Sequence, residues 1–273
     1  MEIGDLRGGP PWGEALAGIE GVVHLAAMAN PSDPAARRDP SLFHQVNVQA
    51  SENLARAAVA AGVGRFIFMS SIMVHGVGGG ALTATSPLGP QNAYGESKRD
   101  AEAALNRVLA PSNTVLTILR SPPVYGPGVS ANFLSLVKLA ASGVPLPLAS
   151  VDNRLSLMYV ENLTDAVAQI LAKGGTESGG TYLVSDGQDV STADLIRRLA
   201  RALNVRSRLF PFPPGLLRTA ANLTGQGRAA ARLLGTLTAD ATEFRRQYSW
   251  KPPHTLDEGL AATAAWYRGN QQR

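Results

Sequence analysis

Short apolar runs alternate with longer segments of helical spacing through the first half of this 273-residue chain. The runs at 22–27, 66–69 and 115–119 are bounded by turn residues, which is typical of buried strands. Apolar residues at helical spacing fill 41–61, and a second helical pattern begins near Asn92. Strands that alternate with helices of this length require right-handed crossovers, which place the strands parallel in one sheet. The sequence therefore predicts an α/β fold with a doubly wound parallel sheet.

The pattern becomes less regular after residue 128, where Pro145 and Pro147 interrupt a helical segment. We interpret 1–128 as the sheet domain and 129–273 as a smaller mixed α/β region, partly interleaved with the sheet, that binds the substrate. The elements predicted there are a helix at 132–142, a strand at 157–160, a helix at 161–173, a strand at 181–184, a helix at 191–203 and three further helical segments.

Composition excludes several classes of protein. With 45% hydrophobic residues the chain can bury a sizeable core, yet it has no run of eighteen apolar residues that would predict a membrane span. The first residues, Met1 to Asp5, show no secretory signal, and zero cysteines exclude disulfides and thiolate metal sites. We expect a cytoplasmic protein without a metal site.

Positive charge is dispersed along the chain. The net charge is +4, and the adjacent arginines occur as separate pairs at 37–38, 197–198 and 245–246. A nucleic-acid binder usually shows a clustered basic stripe with aromatic residues between, whereas a small phosphorylated ligand needs only one or two arginines. The balance favours a small anionic ligand over nucleic acid.

Three residues form a candidate proton-transfer set. Ser71 ends the apolar run at 66–69, and Tyr94 and Lys98 are four residues apart at the start of a helical pattern, so they share one helix face. A phenol is a poor base at neutral pH, but a nearby ammonium favours the phenolate and a hydroxyl can hold a substrate oxygen.

These residues belong to an ordered series that resembles the extended short-chain dehydrogenases, in particular the NAD-dependent epimerase/dehydratase family with its Rossmann-type sheet. The second half is most similar to the UDP-sugar 4-epimerases and 4-keto reductases of bacterial surface-polysaccharide synthesis. The stretches that carry the resemblance are Gly4-Asp5-Leu6, His24 to Ala27, Val46-Asn47-Val48, Ser70-Ser71, Tyr94-x-x-x-Lys98, Leu119-Arg120 through Gly128, Pro145 to Leu148, Asn153 to Ser156 with Tyr159-Val160, and Arg232 to Gly235.

The resemblance implies an enzyme that exchanges a hydride between C4 of a nucleotide-linked sugar and NAD or NADP. It further implies that the nucleotide of the substrate is UDP. Ser71 would bind the C4 oxygen, Tyr94 would be the general acid/base, and Lys98 would tune Tyr94 and hold the nicotinamide ribose. The other residues implied at the cofactor are Asp5, Leu6, Leu25, Ala26, Ala27, Asn47, Pro122 and Pro123. Asn132, Arg154 and Arg232 would face the substrate diphosphate. A homodimer formed through 41–61 and 92–110 is a further expectation.

The chain also departs from the family pattern. The glycine-rich turn between a strand and a helix, which binds a dinucleotide pyrophosphate, is absent, so we expect an N-terminally truncated sheet that lacks the first βαβ unit. Leu155 stands where the family has an arginine. These departures leave an alternative open: a non-catalytic relative that binds a nucleotide-sugar or a protein.

Four of the implied residues also have simpler structural interpretations. Asp5 could be a turn carboxylate, Asn47 a polar residue on a helix face, Asn132 a helix N-cap and Arg154 a surface arginine. His75, where the family has Tyr or Asn, is expected to be structural.

Overall fold

The computed structural model describes residues 4–29, 38–76, 80–173 and 179–271. The strands in these ranges are β1 (Gly21–His24), β2 (Arg65–Ser71), β3 (Ala81–Leu82), β4 (Val115–Ser121), β5 (Val124–Tyr125), β6 (Met158–Tyr159), β7 (Gly180–Leu183) and β8 (Thr238–Ala239). The α-helices are α1 (Trp12–Ala15), α2 (Ser41–His44), α3 (Ala50–Ala60), α4 (Ala93–Leu109), α5 (Ala131–Ala141), α6 (Val160–Ala172), α7 (Thr192–Ala202), α8 (Pro214–Leu223), α9 (Gly227–Leu234), α10 (Thr242–Tyr248) and α11 (Leu256–Gln271).

The central sheet has four strands in the order β1–β2–β4–β7, and every pairing is parallel. Successive residues of β2 point to opposite faces. Phe66 and Phe68 pack with apolar residues of α3 and α4, whereas Ile67 packs on the other face with residues of α6 and α10. Both faces are therefore covered by helices, as the near-continuous apolar strands predict. The predicted doubly wound α/β fold is confirmed.

A second core lies beyond the sheet. Tyr125, Phe133, Leu199 and Leu260 are buried together there and join β5, α5, α7 and α11. Gly259 permits this packing, because a Cβ at that position would lie 2.7 Å from Tyr125 Oη. A third cluster contains residues from both sides of position 128, so the division into 1–128 and 129–273 stays a prediction.

Several element boundaries differ from the predictions. The strand predicted at 22–27 ends earlier than expected. His24, opposite Phe68, is the last residue paired in the sheet, and Leu25 begins a loop. The predicted helix at 41–61 is interrupted by one π-helical turn at Gln45–Gln49. Four helices, not three, follow α7, and two small parallel pairs, β3–β8 and β5–β6, were not predicted.

Among the described residues, no helix combines the length and apolar character needed to cross a membrane.

Candidate active site

The carboxyl ends of the parallel strands meet at one edge of the sheet. β2 ends at Ser71, and β4 ends beside it at Ser121, its register partner. The loop that follows β1 begins at Leu25 on the same edge. In open parallel sheets this edge is where ligands bind, because the loops that follow neighbouring strands diverge there.

Helix α4 starts against this edge. Asn92 caps it by accepting a hydrogen bond from the Gly95 amide at 2.8 Å. A Cβ at Gly95 would lie 2.6 Å from the carbonyl oxygen of Met73, so a glycine is needed for the helix to approach the 3₁₀ turn at Ile72–His75. This approach places Tyr94 in the first turn of α4, next to Ser71.

Ser71 and Tyr94 lie close to each other at this edge. The Ser71 Oγ accepts from the Met73 amide at 3.2 Å. Burial raises the pKa of Tyr94, and the neighbouring Ser71 hydroxyl opposes that rise. The direction is opposite to the lowering expected from Lys98, because burial of the phenol is the largest contribution. The Lys98 ammonium itself donates to a backbone carbonyl.

Lys98 is buried one turn further along α4. Its Nζ donates to the carbonyl oxygen of Met69 at 2.7 Å and lies 4.5 Å from the centroid of the Phe68 ring. Burial lowers the pKa of Lys98 to about 8, against the opposing charge of Glu102. The structure therefore brings Ser71, Tyr94 and Lys98 together at the sheet edge.

A buried ion pair lies behind this set. Glu102 accepts from Arg120 through both oxygens, at 3.0 and 2.6 Å, and also accepts from the Ser70 hydroxyl at 2.5 Å. Arg120 further donates to His75 Nε2 at 3.0 Å, and His75 Nδ1 lies 3.2 Å from the Pro87 carbonyl oxygen. Burial lowers the pKa of His75, which suits an imidazole that accepts from a guanidinium. These contacts fit the structural role expected for His75.

Glu102 was not predicted from the sequence, although a signal was present. Tyr94, Lys98 and Glu102 are each four residues apart, which places all three along one stripe of α4. Glu102 accepts hydrogen bonds from residues at the ends of β2 and β4. These bonds hold both strands against the helix that carries Tyr94 and Lys98.

Asn47 joins the loop after β1 to the same helix. It lies in the π-helical turn and is buried, and its side-chain amide exchanges two hydrogen bonds with the Met28 backbone, at 2.8 and 2.9 Å. Its Nδ2 also donates to Ser97 Oγ at 2.9 Å. π-Helical turns are rare and are frequent at functional sites. The contacts hold the loop in place against α4.

His24 is buried on the interior side of this region. Its Nε2 lies 2.7 Å from Ser51 Oγ, and Ser51 donates in turn to the Asn47 carbonyl oxygen. Burial, with a smaller contribution from the Lys98 charge, lowers the pKa of His24 to about 4. The imidazole is therefore neutral at physiological pH.

The other predicted cofactor residues line the rim of the edge. Leu25 is 60% exposed, and Ala26 and Ala27 follow it in the loop. Pro122 is buried directly after β4, and Pro123 is exposed.

Asp5 and Leu6 lie in the first described turn of the chain. Asp5 accepts from the Arg7 amide at 3.0 Å and pairs with its guanidinium, which holds the pKa of that carboxyl at about 2. Leu6, half-buried, opens the 3₁₀ turn at Leu6–Gly8. These contacts match the turn interpretation of Asp5, and an adenine role for both residues stays a prediction.

The predicted substrate residues separate into two places. Asn132 accepts from Arg232 at 3.1 Å, so the structure brings these two together. Asn132 is not the N-cap of α5, because Ser130 occupies that position. Arg154 is exposed and pairs with Asp189 at 3.0 Å, while Leu155 faces the other way and bonds the Val190 backbone. Arg154 has no contact with Asn132, Arg232 or the proton-transfer set.

The described residues fit the nicotinamide end of a dinucleotide. The buried Lys98 ammonium has three N–H donors, and the structure gives it one hydrogen bond, which leaves donors for ribose hydroxyls. The sequence has no glycine-rich turn for the pyrophosphate, so the fit concerns the nicotinamide end alone. No group of three potential metal ligands occurs among the residues with described positions.

Comparisons with known proteins agree with this geometry. The sequence model of the NAD dependent epimerase/dehydratase family matches residues 1–185. A UDP-glucose 4-epimerase from Vibrio cholerae is 38% identical over 268 residues, which span 97% of this chain and 81% of that protein. An N-acetyl-alpha-D-glucosaminyl-diphospho-ditrans,octacis-undecaprenol 4-epimerase from Escherichia coli O157:H7 is 30% identical over 280 residues, or 96% of this chain and 82% of that protein.

A solved structure shows the same fold. A double mutant of DesIV, a dTDP-glucose 4,6-dehydratase from Streptomyces venezuelae determined with NAD bound, matches with a TM-score of 0.76 and 25% identity, over 98% of this chain and 79% of that one. The Rossmann-type fold and, at the level of the family, the NAD cofactor are thereby confirmed. The chain belongs to the NAD-dependent epimerase/dehydratase family.

Proposed function

We propose that this chain is a UDP-sugar 4-epimerase that uses NAD. The observation that carries the proposal is the close approach of Ser71 and Tyr94 beside the buried ammonium of Lys98, at the carboxyl edge of the sheet. The 38% identical UDP-glucose 4-epimerase from Vibrio cholerae supports the choice of epimerisation over reduction or dehydration. A role in surface-polysaccharide synthesis and a homodimer are parts of the same proposal.

Proton transfer is the task of the chain's own residues. The Ser71 hydroxyl and the Tyr94 phenol converge, so a sugar hydroxyl between them can donate its proton to Tyr94 while Ser71 holds the oxygen. The positive charge of Lys98, one helical turn away, is proposed to offset the negative charge of the phenolate, against the burial that raises its pKa. Bound NAD would supply the acceptor for the hydride that leaves the sugar C4, and this chemistry belongs to the cofactor.

Binding and orientation use the surrounding residues. Asn47 fixes the loop of Leu25, Ala26 and Ala27, which we assign as one wall for the cofactor. Pro122 and Pro123, directly after β4, are proposed to border the nicotinamide. Asp5 and Leu6 are proposed to contact the adenine end.

Asn132 and Arg232, already hydrogen-bonded to each other, are proposed to bind the substrate diphosphate. Arg154 joins them only by releasing Asp189, so we assign it the weakest role of the three.

A second candidate substrate has its own support. The Escherichia coli relative, 30% identical over nearly the whole chain, is named for a sugar carried on a diphospho-undecaprenol. The proposed chemistry at C4 is the same for this substrate, since it differs from UDP-glucose in the 2-acetamido group of the sugar and in the group beyond the diphosphate, and not at C4.

Replacement of Tyr94 by Phe tests the proposal. We expect kcat for 4-epimerisation of UDP-glucose to fall by about 10²- to 10⁴-fold, because the proton acceptor is removed while the ring and its packing remain. Product formation is measured by chromatography of the UDP-sugars with NAD supplied. Tyr267→Phe, which removes a phenol that accepts from Gln271 at the surface, is the matched control.

Undiminished turnover in Tyr94→Phe would contradict the assigned chemistry. Absence of turnover in the unaltered chain, together with binding of UDP-sugar, would favour the non-catalytic alternative.

A further inference from the structure

Eight arginines and no aspartate or glutamate lie between Asp194 and Asp240. The arginines are Arg197, Arg198, Arg201, Arg206, Arg208, Arg218, Arg228 and Arg232. Over the whole chain the two signs nearly balance, with 25 basic and 21 acidic residues. This stretch therefore concentrates positive charge in a way that a search for adjacent pairs does not reveal.

Most of these arginines have no acidic partner within the part of the chain that the structure describes. Among the described acidic residues, Asp194 and Asp257 contact this group, and both bind Arg198. Arg197, Arg201 and Arg206 are exposed around an open cavity of about 530 Å³. The Ser207 hydroxyl in its lining is buried without a hydrogen-bond partner among the described residues. Three guanidinium groups and a free hydroxyl are suited to a phosphate group.

An extended segment continues the same surface. Arg208 and Phe210 bond the Leu146 backbone on either side, at 3.0 Å each, as a strand partner would. Leu209 packs into the core, so its neighbours Arg208 and Phe210 point outward, and Phe210 is 43% exposed. Phe212, two residues on, is also exposed. Basic and aromatic side chains thus follow one another along one face.

Helix α8 presents a second apolar face to the outside. It contains no buried residue, and Leu217 packs toward the core. Leu216 and Leu223 lie two turns apart on another side of the helix and are 58% and 84% exposed. Four of the ten exposed large apolar side chains of the described chain fall within residues 210–223. An exposed apolar cluster of this kind marks an interaction surface.

We propose that Arg197, Arg201, Arg206, Arg208, Phe210, Phe212, Leu216 and Leu223 form a docking face for a bilayer of anionic phospholipids. The arginines would bind headgroup phosphates, and the Phe and Leu side chains would enter the interfacial layer. An anionic bilayer presents negative charge over its whole surface. The stretch between Asp194 and Asp240 suits such a surface because it contains no acidic residue. A protein partner would instead present local carboxylates to individual arginines.

The docking face adjoins the proposed substrate site. Helix α9 packs on α8 and carries Arg232, which binds Asn132. Docking would therefore bring the proposed diphosphate site close to the headgroup layer. This step rests on the proposed function and favours its second candidate, a sugar carried by a lipid diphosphate.

Vesicle flotation with the full chain tests the docking face. We expect the partition coefficient on vesicles of 30% phosphatidylglycerol in phosphatidylcholine to exceed that on pure phosphatidylcholine at least tenfold, and to fall in 0.5 M NaCl. The double variant Arg206→Gln/Arg208→Gln should lose about tenfold or more, and Leu216→Asp/Leu223→Asp a similar amount. Circular dichroism confirms that each variant folds.

The matched control is Arg56→Gln/Arg107→Gln, which removes the same charge from exposed arginines that pair with Glu52 on another face. We expect it to bind as the unaltered chain does. Equal binding to both vesicle types, or an equal loss in the control, would overturn the proposal. Loss of self-association in the Leu216→Asp/Leu223→Asp variant, without vesicle binding by the unaltered chain, would show a protein interface instead. Tyr94→Phe should still float, so a failed catalytic assignment and a failed docking face give different results.

Discussion

The strand–helix unit of β2 and α4 and the stretch between Asp194 and Asp240 use charge in opposite ways. In the first, Glu102 and Arg120 are both buried and bind each other and their neighbours. In the second, Arg197, Arg201 and Arg206 face solvent with no described acidic partner. The difference teaches that satisfied polar groups build a rigid site inside the protein, whereas polar groups left without partners indicate a ligand outside it.

The largest loss of stability is expected when one member of the buried ion pair of Glu102 and Arg120 is removed. Glu102→Gln leaves the Arg120 guanidinium charged and buried, so we expect the free energy of unfolding to fall by about 3–5 kcal/mol. Urea denaturation followed by circular dichroism measures it. Glu52→Gln, whose partners Arg56 and Arg107 are exposed, should cost less than about 1 kcal/mol. Similar losses in the two variants would refute the distinction.

The buried histidine gives the same region a pH dependence. His24 has a pKa near 4 in the folded chain against 6.5 for an ordinary histidine. As the pH falls from 6.5 to 4, the unfolded chain takes up a proton that the folded chain refuses, so the folded state loses about 3 kcal/mol over this window. Unfolding free energies at pH 7, 5.5 and 4.5 measure the loss.

His24→Asn should lose correspondingly less stability over that window than the unaltered chain. His44→Asn, at an exposed position, is the control and should follow the unaltered chain. If His24→Asn shows the full pH dependence, the loss belongs to other groups.

The smallest effect is expected on the outward-facing stretch. Leu223→Ala should change the free energy of unfolding by less than about 0.5 kcal/mol, since the side chain is 84% exposed. Leu105→Ala, at a fully buried position of α4, should cost about 2–5 kcal/mol by the same measurement. A large cost at Leu223 would mean that this leucine stabilises the fold and is not held for a partner.

The parallel sheet and the shared helix face of Tyr94 and Lys98 were accessible from the sequence because both depend on short spacings. Strand and helix periods predicted the sheet, and the interval between Tyr94 and Lys98 predicted one helix face. The contact of Arg120 with His75 was inaccessible, since it joins residues 45 positions apart through the register of β2 and β4. The end of β1 at His24 was also missed, because the apolar run continues beyond the last ladder pair.

The interruption at Gln45–Gln49 was invisible for a different reason. A π-helical turn holds one residue more than an α-helical turn, and the apolar spacing on either side still resembles a single helix. That extra residue has a consequence for how the chain can change. Deletion of one residue between α2 and α3 would restore a regular helix and rotate Asn47 by about 100° relative to one of its flanks. The residue would still be an asparagine, but it would lose its two hydrogen bonds to the Met28 backbone. At this turn the number of residues therefore matters as much as the side-chain chemistry. A chain one residue shorter here would need a different anchor for the loop.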